Sequence, residues 1–319
     1  MNKINVGIDI SKNKFDVCWL SADGKALSRV FRNDSEGFAA FFNFLDQKDS
    51  GSYRIAIEAT GWYGEDLARA AHDKGHMVFV INPAQIKYFG KSRLSRSKTD
   101  KKDARLIADF ALTHPDLRPW VPLTASQEKL RSLFRHLSRL KEDHAQLLNR
   151  LESDRDEDVR KSSLAQLEFV QDLIRDIQGQ IRAHIESDSE LKVKAGLLRT
   201  IPGVGEMVCW GFLSETPDVR NFDNARQLAA FAGLNPSVYE SGTSVRGRGS
   251  ISKTGSSALR KLLYLPAMST MRFNPVVKAF AETLRSRGKN GKVIVVACMR
   301  KLLHIIYGVL VKQQPFCVG

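Results

Sequence analysis

Asp100 and Asp103 stand three residues apart in Arg96-Ser-Lys-Thr-Asp-Lys-Lys-Asp-Ala-Arg105, where a helical apolar pattern begins with Ala104, Ile107, Ala108 and Ala111. Residues at i and i+3 share one helix face, so both carboxylates address the same spot. Thr99 is placed to cap that helix. Lys98, Lys101, Lys102 and Arg105 surround the pair with positive charge. Paired hard oxygen ligands in a basic field suit Mg²⁺ (or Mn²⁺), which a few carboxylates and substrate phosphate oxygens commonly hold between them. A solvated helix face laced with ion pairs has the same pattern, and spacing alone leaves both readings open.

The elements before this pair carry two more acids. Ile4, Val6, Ile8 and Ile10 alternate as a strand with Asp9 in its middle. A second strand at Phe15–Leu20 and a third at Ala26–Phe31 follow, joined by the hairpin signal Asp23-Gly24. Asp34 or Ser35 caps a helix over Glu36–Asp46. Tyr53-Arg-Ile-Ala-Ile-Glu58 is a buried strand that ends on Glu58, Trp62–Lys74 is helical, and Met77–Ile81 is a fifth strand. Asn82-Pro83 closes it, and a basic connector, Lys87–Lys98, leads to the acidic pair. The order β-β-β-α-β-α-β-α is that of a ribonuclease-H-like fold. In such a sheet Asp9, Glu58, Asp100 and Asp103 converge at one edge.

Pro115, Pro119 and Pro122 mark a boundary. Beyond it, Leu130, Leu133, Leu137, Leu140, His144, Leu147 and Leu151 form a heptad seam, with His144 as its polar member. A charged tip over 152–161 follows, and Leu164, Leu167, Val170, Ile174, Ile177 and Ile181 repeat the seam. An antiparallel helical hairpin is expected. Next, Ile201-Pro-Gly-Val-Gly205 precedes a helix. It resembles a helix–hairpin–helix turn, in which the amides of Gly203 and Gly205 and the helix N-terminus hold a phosphate; an ordinary tight turn is the alternative. From Ser241 to Lys261 the chain is rich in Gly and Ser, carries Arg246, Arg248, Lys253, Arg260 and Lys261, and has no acid. This is a flexible linker or an ordered phosphate-facing loop, and the apolar helices on both sides favour the loop.

Composition narrows the partner. The 319 residues are 43% hydrophobic with a net charge of +14, which points to a polyanion, most often nucleic acid. No uninterrupted apolar run reaches the roughly 18 residues of a spanning helix, and Met1-Asn-Lys-Ile4 does not open a signal peptide. Cys18, Cys209, Cys298 and Cys317 are scattered, which argues against zinc or a disulfide framework and fits a reducing cytoplasm.

Taken together the motifs resemble those of the DEDD-type insertion-sequence transposases, the insertion-sequence-one-ten family, which includes the Piv/MooV DNA invertases. The acids fall in Gly7-Ile-Asp-Ile-Ser-Lys12, Ala56-Ile-Glu-Ala-Thr-Gly61 and Lys98-Thr-Asp-Lys-Lys-Asp-Ala104. Ile201-Pro-Gly-Val-Gly205, Phe231-Ala-Gly-Leu-Asn-Pro236, Glu240-Ser-Gly242 and Ile251-Ser-Lys-Thr-Gly-Ser-Ser-Ala-Leu-Arg260 match the second half, so the resemblance runs nearly end to end. It implies an α/β plus all-α chain. Its parts would be a RuvC-like catalytic domain (1–115), a coiled-coil hairpin arm (116–195) and a helical transposase domain (196–319). It implies that Asp9, Glu58, Asp100 and Asp103 bind Mg²⁺ or Mn²⁺, and that Ser241 forms a phosphoserine link with DNA. Ser244, Ser250 and Ser252 are the other serines of that loop. Gly242 allows close backbone approach, and Arg246 and Arg248 neutralise phosphate.

The resemblance also implies donor and target DNA as substrates and a structured bridge RNA as guide, so that base pairing reads sequence while the protein reads backbone and shape. It implies a homo-oligomer, a dimer of dimers with sites drawn from two subunits, working at the nucleoid in a bacterial cytoplasm and on no membrane. A hydrolytic RuvC-like structure-specific endonuclease needing no serine is the alternative, and a nucleic-acid-binding module with structural acids is a third reading.

Overall fold

The computed structural model describes residues 5–21, 24–48, 51–59, 61–93, 99–237, 240–241, 245–246 and 250–318; at Trp62, Ser237, Glu240, Ser241, Val245, Arg246 and Ser250 it describes the backbone alone. The chain is mixed α/β and divides into two compact units, Met1–Pro122 and Leu123–Gly319.

In the first unit, alternating Val6, Ile8 and Ile10 build β1 (Asn5–Ile10), which forms an antiparallel meander with β2 (Lys14–Leu20) and β3 (Ala26–Arg32). Asp34 caps α1 (Ser35–Asp46), its carboxylate accepting the Gly37 N–H at 2.9 Å. β4 (Arg54–Glu58) runs parallel to β1. A single 3-10 turn at Gly61–Gly64 leads into α2 (Glu65–Asp73), and β5 (Met77–Ile81) joins parallel to β4. The sheet order is β3-β2-β1-β4-β5.

One expectation fails after β5. Asn82-Pro83 does more than end the strand. The Asn82 side chain accepts the Ala84 N–H and Pro83 occupies the first helical position, where its missing N–H costs nothing. The first half of the expected basic connector is therefore part of helix α3 (Pro83–Ser92). Thr99 caps α4 (Asp100–Thr113), as its position predicted.

Both faces of the sheet are covered. Val6, Ile8, Val17, Ile55 and Ile57 pack with the aromatic residues of α1 and with Leu67 and Ala71 of α2. On the other face Phe79 and Ile81 lie under Ile86, Ile107 and Phe110, and Cys18 and Leu20 lie under Ala104 and Ala108. Each fully buried large side chain contributes about 1.5–3 kcal/mol. α4 rests directly on β1 because residue 7 is glycine. A Cβ there would stand 2.3 Å from the Ala104 carbonyl oxygen and 2.3 Å from the Ala108 nitrogen. Gly7→Ala should therefore lift α4 off the sheet. The expected loss, read by urea unfolding, is at or above the ~1–3 kcal/mol typical of overpacking. A variant of native stability would refute this account of Gly7.

In the second unit, α5 (Ala125–Ser153) opens on a reciprocal cap between Thr124 and Gln127, and α6 (Glu157–Ser187) returns antiparallel to it. Ser126 meets His184, His144 meets Gln171 at 3.0 Å, and Arg160 reaches the Leu151 and Asp154 carbonyls. The charged tip shrinks to the three residues 154–156 between the helices. The seam is buried only at the base of the pair, at Leu130, Leu137, Leu140, Ile177 and Ile181. Leu147 and Leu151 are half-buried and Leu164 is exposed.

The chain continues through α7 (Ser189–Arg199), α8 (Glu206–Glu215), a short turn at Val219–Asn221 and α9 (Ala225–Phe231). Four two-residue strands follow. β6 (Pro236–Ser237) pairs with β9 (Ser250–Ile251), and β7 (Glu240–Ser241) pairs with β8 (Val245–Arg246) inside them. Then come α10 (Ser257–Phe273), α11 (Pro275–Ser286) and α12 (Gly291–Lys312). One core joins the hairpin base to the later helices through Phe134, Ile181, Leu198, Phe212, Leu263 and Leu302. Among the described residues α12 alone is long and apolar enough, by length and composition, to cross a membrane. Arg300 and Lys301 divide this stretch, so no uninterrupted apolar run marks it in the sequence. Its Ile294, Cys298, Leu302, Ile306 and Leu310 are buried, and it packs on α7, α9, α10 and α11.

Candidate active site

Strand register sets the acids in a row. Asp9 on β1 lies directly opposite Asp16 on β2. On the other side the β1–β4 register pairs Gly7 with Ala56 and Ile8 with Ile57, so Glu58 follows at the level of Asp9. Gly7 and Asp9 lie two apart and share a face, and Gly7 touches α4. The same helix begins at Asp100 and carries Asp103 in its first turn. The Asp9 carboxyl is pushed up to about 6, first by burial, then by the charges of Glu58, Asp103, Asp100 and Asp16. Glu58, Asp100 and Asp103, the other acids singled out by spacing, thus all act electrostatically on Asp9.

Two further residues belong to this cluster. Asp16 is buried at 7% exposure, and Lys14 extends its ammonium to Asp16 at 3.2 Å and to Asp100 at 2.9 Å. The bonds to Asp100 and Asp16 raise the Lys14 pKa. One signal was available in the sequence: Asp16 is an acid between Phe15 and Val17 in an apolar strand, where an unpaired charge is costly.

The donor set suits a hard divalent cation, and the Asp9 pKa is raised first by burial and then by neighbouring carboxylates whose charge a cation would offset. Among the described residues no three Asp, Glu, His or Cys side chains are close enough to hold a metal as they stand. The Lys14 ammonium partly balances Asp16 and Asp100.

The basic residues around the acids divide. Lys101 and Lys102 are exposed on the first turn of α4. The Arg105 guanidinium is held by Asp109 at 3.3 Å, which also takes Arg93 at 2.7 Å. Lys98 lies outside the described residues.

In the second unit Ser241 lies on β7, paired through its backbone with Val245. The side chains of Ser241 and Arg246, and all of Arg248, lie outside the described residues. The base of this loop is well fixed. N–H groups of Ser252, Lys253 and Ser256 donate to the carbonyls of Asn235, Gly233 and Phe231 at 2.9, 3.2 and 2.8 Å. A Cβ on Gly255 would stand 2.4 Å from the Phe231 carbonyl oxygen, so the Phe231–Pro236 and Ile251–Gly255 motifs are in close backbone contact. Arg260 fastens them by donating to the carbonyls of Ala232, Gly255 and Ser256. Lys253 is exposed and left-handed, with φ +55°.

At the other glycine turn, Gly203 has φ +88° and sits against Thr270 of α10, where a Cβ would come within 2.9 Å. Packing and backbone conformation both require glycine there. Gly205 is exposed just before α8, and the Glu206 carboxylate occupies the first turn of that helix, paired with Arg182 at 2.9 Å.

Two family profiles match the chain. One, described as Transposase (DEDD, IS110), covers residues 6–154 and so contains the whole row of acids. The other, described as Transposase IS116/IS110/IS902 family, covers residues 195–282 and contains the Ser241 loop. The chain is 34% identical to the pilin gene-inverting protein of Moraxella bovis over 328 residues, which span 99% of this chain and 98% of the relative. The chain belongs to the IS110 family of transposases. It is 25% identical to the transposase of insertion sequence element IS1111A from Coxiella burnetii (98% of this chain, 91% of the relative). To the transposase of element IS1328 from Yersinia enterocolitica it is 26% identical (98% of each chain). As an IS110-family member it is a DNA transposase or recombinase, an enzyme whose substrate is DNA.

Proposed function

We propose that this IS110-family member cuts and rejoins DNA through a phosphoserine intermediate, with Asp9, Glu58, Asp100 and Asp103 holding Mg²⁺ or Mn²⁺. The observation that carries the reading is the row of carboxylates across β2, β1 and β4 with the start of α4 over it, where burial and then the neighbouring acids lift the Asp9 pKa to about 6. A divalent cation held there polarises a scissile phosphate and carries developing negative charge. The protein's own part is to set the carboxylates, through Gly7 and the Thr99 cap, and to present the serine on the framed hairpin. In the cleavage step the Ser241 oxygen bonds to phosphorus and the bridging P–O bond to one strand end breaks. That end takes up the proton lost by the serine and leaves as a hydroxyl. A hydroxyl of another strand reverses the step and rejoins the DNA without net hydrolysis.

The first unit is then the RuvC-like domain (1–115 as the functional division), the α5–α6 pair is the coiled-coil arm between subunits of a dimer of dimers (116–195), and 196–319 is the serine-bearing domain. Lys98, Lys101, Lys102, Arg105, Arg246, Arg248 and Lys253 and the Gly203–Gly205 turn serve the nucleic-acid backbone, with a bridge RNA choosing sequence, while Arg260 holds the base of the serine loop. The work is placed at the bacterial nucleoid. The family resemblance supports these assignments.

The test is a plasmid reaction with the DNA that flanks the gene. Protein-linked strand ends should form with Mg²⁺ and vanish with EDTA, and products should be rejoined rather than nicked. Free ends without linked protein would put the hydrolytic endonuclease ahead. Binding should also fall by about 10³-fold or more between roughly 50 and 200 mM salt, as for proteins that neutralise several phosphates. A flat salt response would refute the phosphate contacts.

A further inference from the structure

Helices α10, α11 and α12 surround an open depression of about 650 Å³. Four cations line it: Arg272 from α10, Lys278 and Arg285 from α11, and Lys292 from α12. Among the described residues none of the four is held in an ion pair. The only acid in the sequence after Glu240 is Glu282, and it does not line the depression. Four unpaired cations at one hollow repel one another unless an anion joins them.

The depression also has an apolar side. Tyr264 and Met268 line it and are 42% and 48% exposed. Tyr264 borders a second hollow of about 580 Å³ as well. The cations of that second hollow are already engaged, Arg260 with three carbonyls and Lys261 with Glu142. What remains there is chiefly apolar. The tyrosine ring thus stands between a hollow with free positive charge and a hollow without it.

We infer that this surface binds a segment of single-stranded nucleic acid, with phosphates in the cationic hollow and a base stacked on Tyr264. Every base has a π-face, so aromatic stacking beside a basic groove holds a single strand without reading sequence. A duplex offers phosphates but keeps its bases stacked inside, and would leave the exposed ring and methionine unused. Both hollows are of the size that takes small ligands, roughly 300–1,000 Å³. RNA and DNA strands share this chemistry. The inference rests on the chain acting on nucleic acid and needs neither the serine nor the metal.

Fluorescence anisotropy on the full chain tests it, with labelled 12-mers of one sequence as single-stranded RNA, single-stranded DNA and DNA duplex. Tyr264→Ala should weaken single-strand binding about tenfold and duplex binding by less than about twofold. Tyr264→Phe should keep wild-type affinity. Arg285→Ala with Lys292→Ala should lower the single-strand salt slope by about 1.4, two phosphates' worth. Loss confined to RNA, or to DNA, supports the site and names its source. Unchanged affinity in Tyr264→Ala, or an equal loss on duplex and single strands, overturns the inference. So does a change of sedimenting mass with affinity intact, which would assign the face to a second copy of the chain. Because Tyr264 is largely exposed, the alanine variant should fold, and circular dichroism checks it.

Discussion

Asp9→Asn should abolish strand cleavage and, in EDTA, melt at a higher temperature than the parent chain. The two effects have one cause. Burial and the charges of Glu58, Asp103, Asp100 and Asp16 raise the Asp9 pKa from 3.8 to about 6. An acid whose folded pKa lies above its unfolded value destabilises the fold once it is ionised. Its contribution is harmless below about pH 4, grows as pH rises through the folded value, and is a constant cost above that. The metal-free parent should therefore lose melting temperature between about pH 4 and 6 relative to Asp9→Asn, and the gap should stay open at pH 7.5. Mg²⁺ or Mn²⁺ should raise the melting temperature of the parent at pH 7.5 and leave the variant nearly unmoved. Cleavage should drop at least about a thousandfold, since metal-borne charge stabilisation is worth several kcal/mol and each 1.36 kcal/mol is a decade. Calorimetry with and without metal decides the matter. A variant that melts lower in EDTA, or that is stabilised by metal as the parent is, would show that these carboxylates are not a cation site.

How the acids come together was legible because two simple periods carry it. Alternation placed Asp9 inside β1 and Glu58 at the end of β4, and i,i+3 spacing after a threonine cap placed Asp100 and Asp103 on one turn. Pairing register was not legible, and it alone brings Asp16 opposite Asp9 and lets Lys14 bridge Asp16 and Asp100. Gly7 likewise read as part of a motif, while its reason is a helix backbone 2.3 Å from where a Cβ would be. Helix α3 is hidden in the sequence because Asn82-Pro83 both ends a strand and makes a good helix start. Arg260 read as a phosphate ligand from its charge. Its guanidinium instead ties three carbonyls at the base of the serine loop, a tertiary arrangement that no local pattern encodes. Among the later helices, the burial of α12 on several neighbours depends on packing that sequence spacing does not specify.

Ser241→Ala should remove every covalent protein–DNA product and all rejoining while leaving nucleic-acid binding near the parent value. Ser241 is carried on β7 of a hairpin whose base is fixed by backbone bonds from Ser252, Lys253 and Ser256 and by Arg260. A base fixed in this way would hold the proposed nucleophile in place without occupying it. A serine hydroxyl is a weak nucleophile and needs a base or a metal to activate it. Loss of the acid cluster should therefore block the same adduct, and Asp9→Asn and Ser241→Ala should fail alike when stalled reactions are run on denaturing gels. Ser241→Cys should retain a trace of adduct, since the thiol is intrinsically more nucleophilic. Peptide mapping of the parent adduct should place the link within Glu240-Ser241-Gly242. Ser244→Ala, Ser250→Ala and Ser252→Ala provide the contrast, because each removes a neighbouring hydroxyl from the same basic loop and should leave the adduct in place. Adduct at the parent level in Ser241→Ala, with loss in one of the other three, would move the nucleophile to that serine. Adduct in all four variants would remove the serine mechanism, and cleavage without adduct in any chain would leave water as the nucleophile at the carboxylate row.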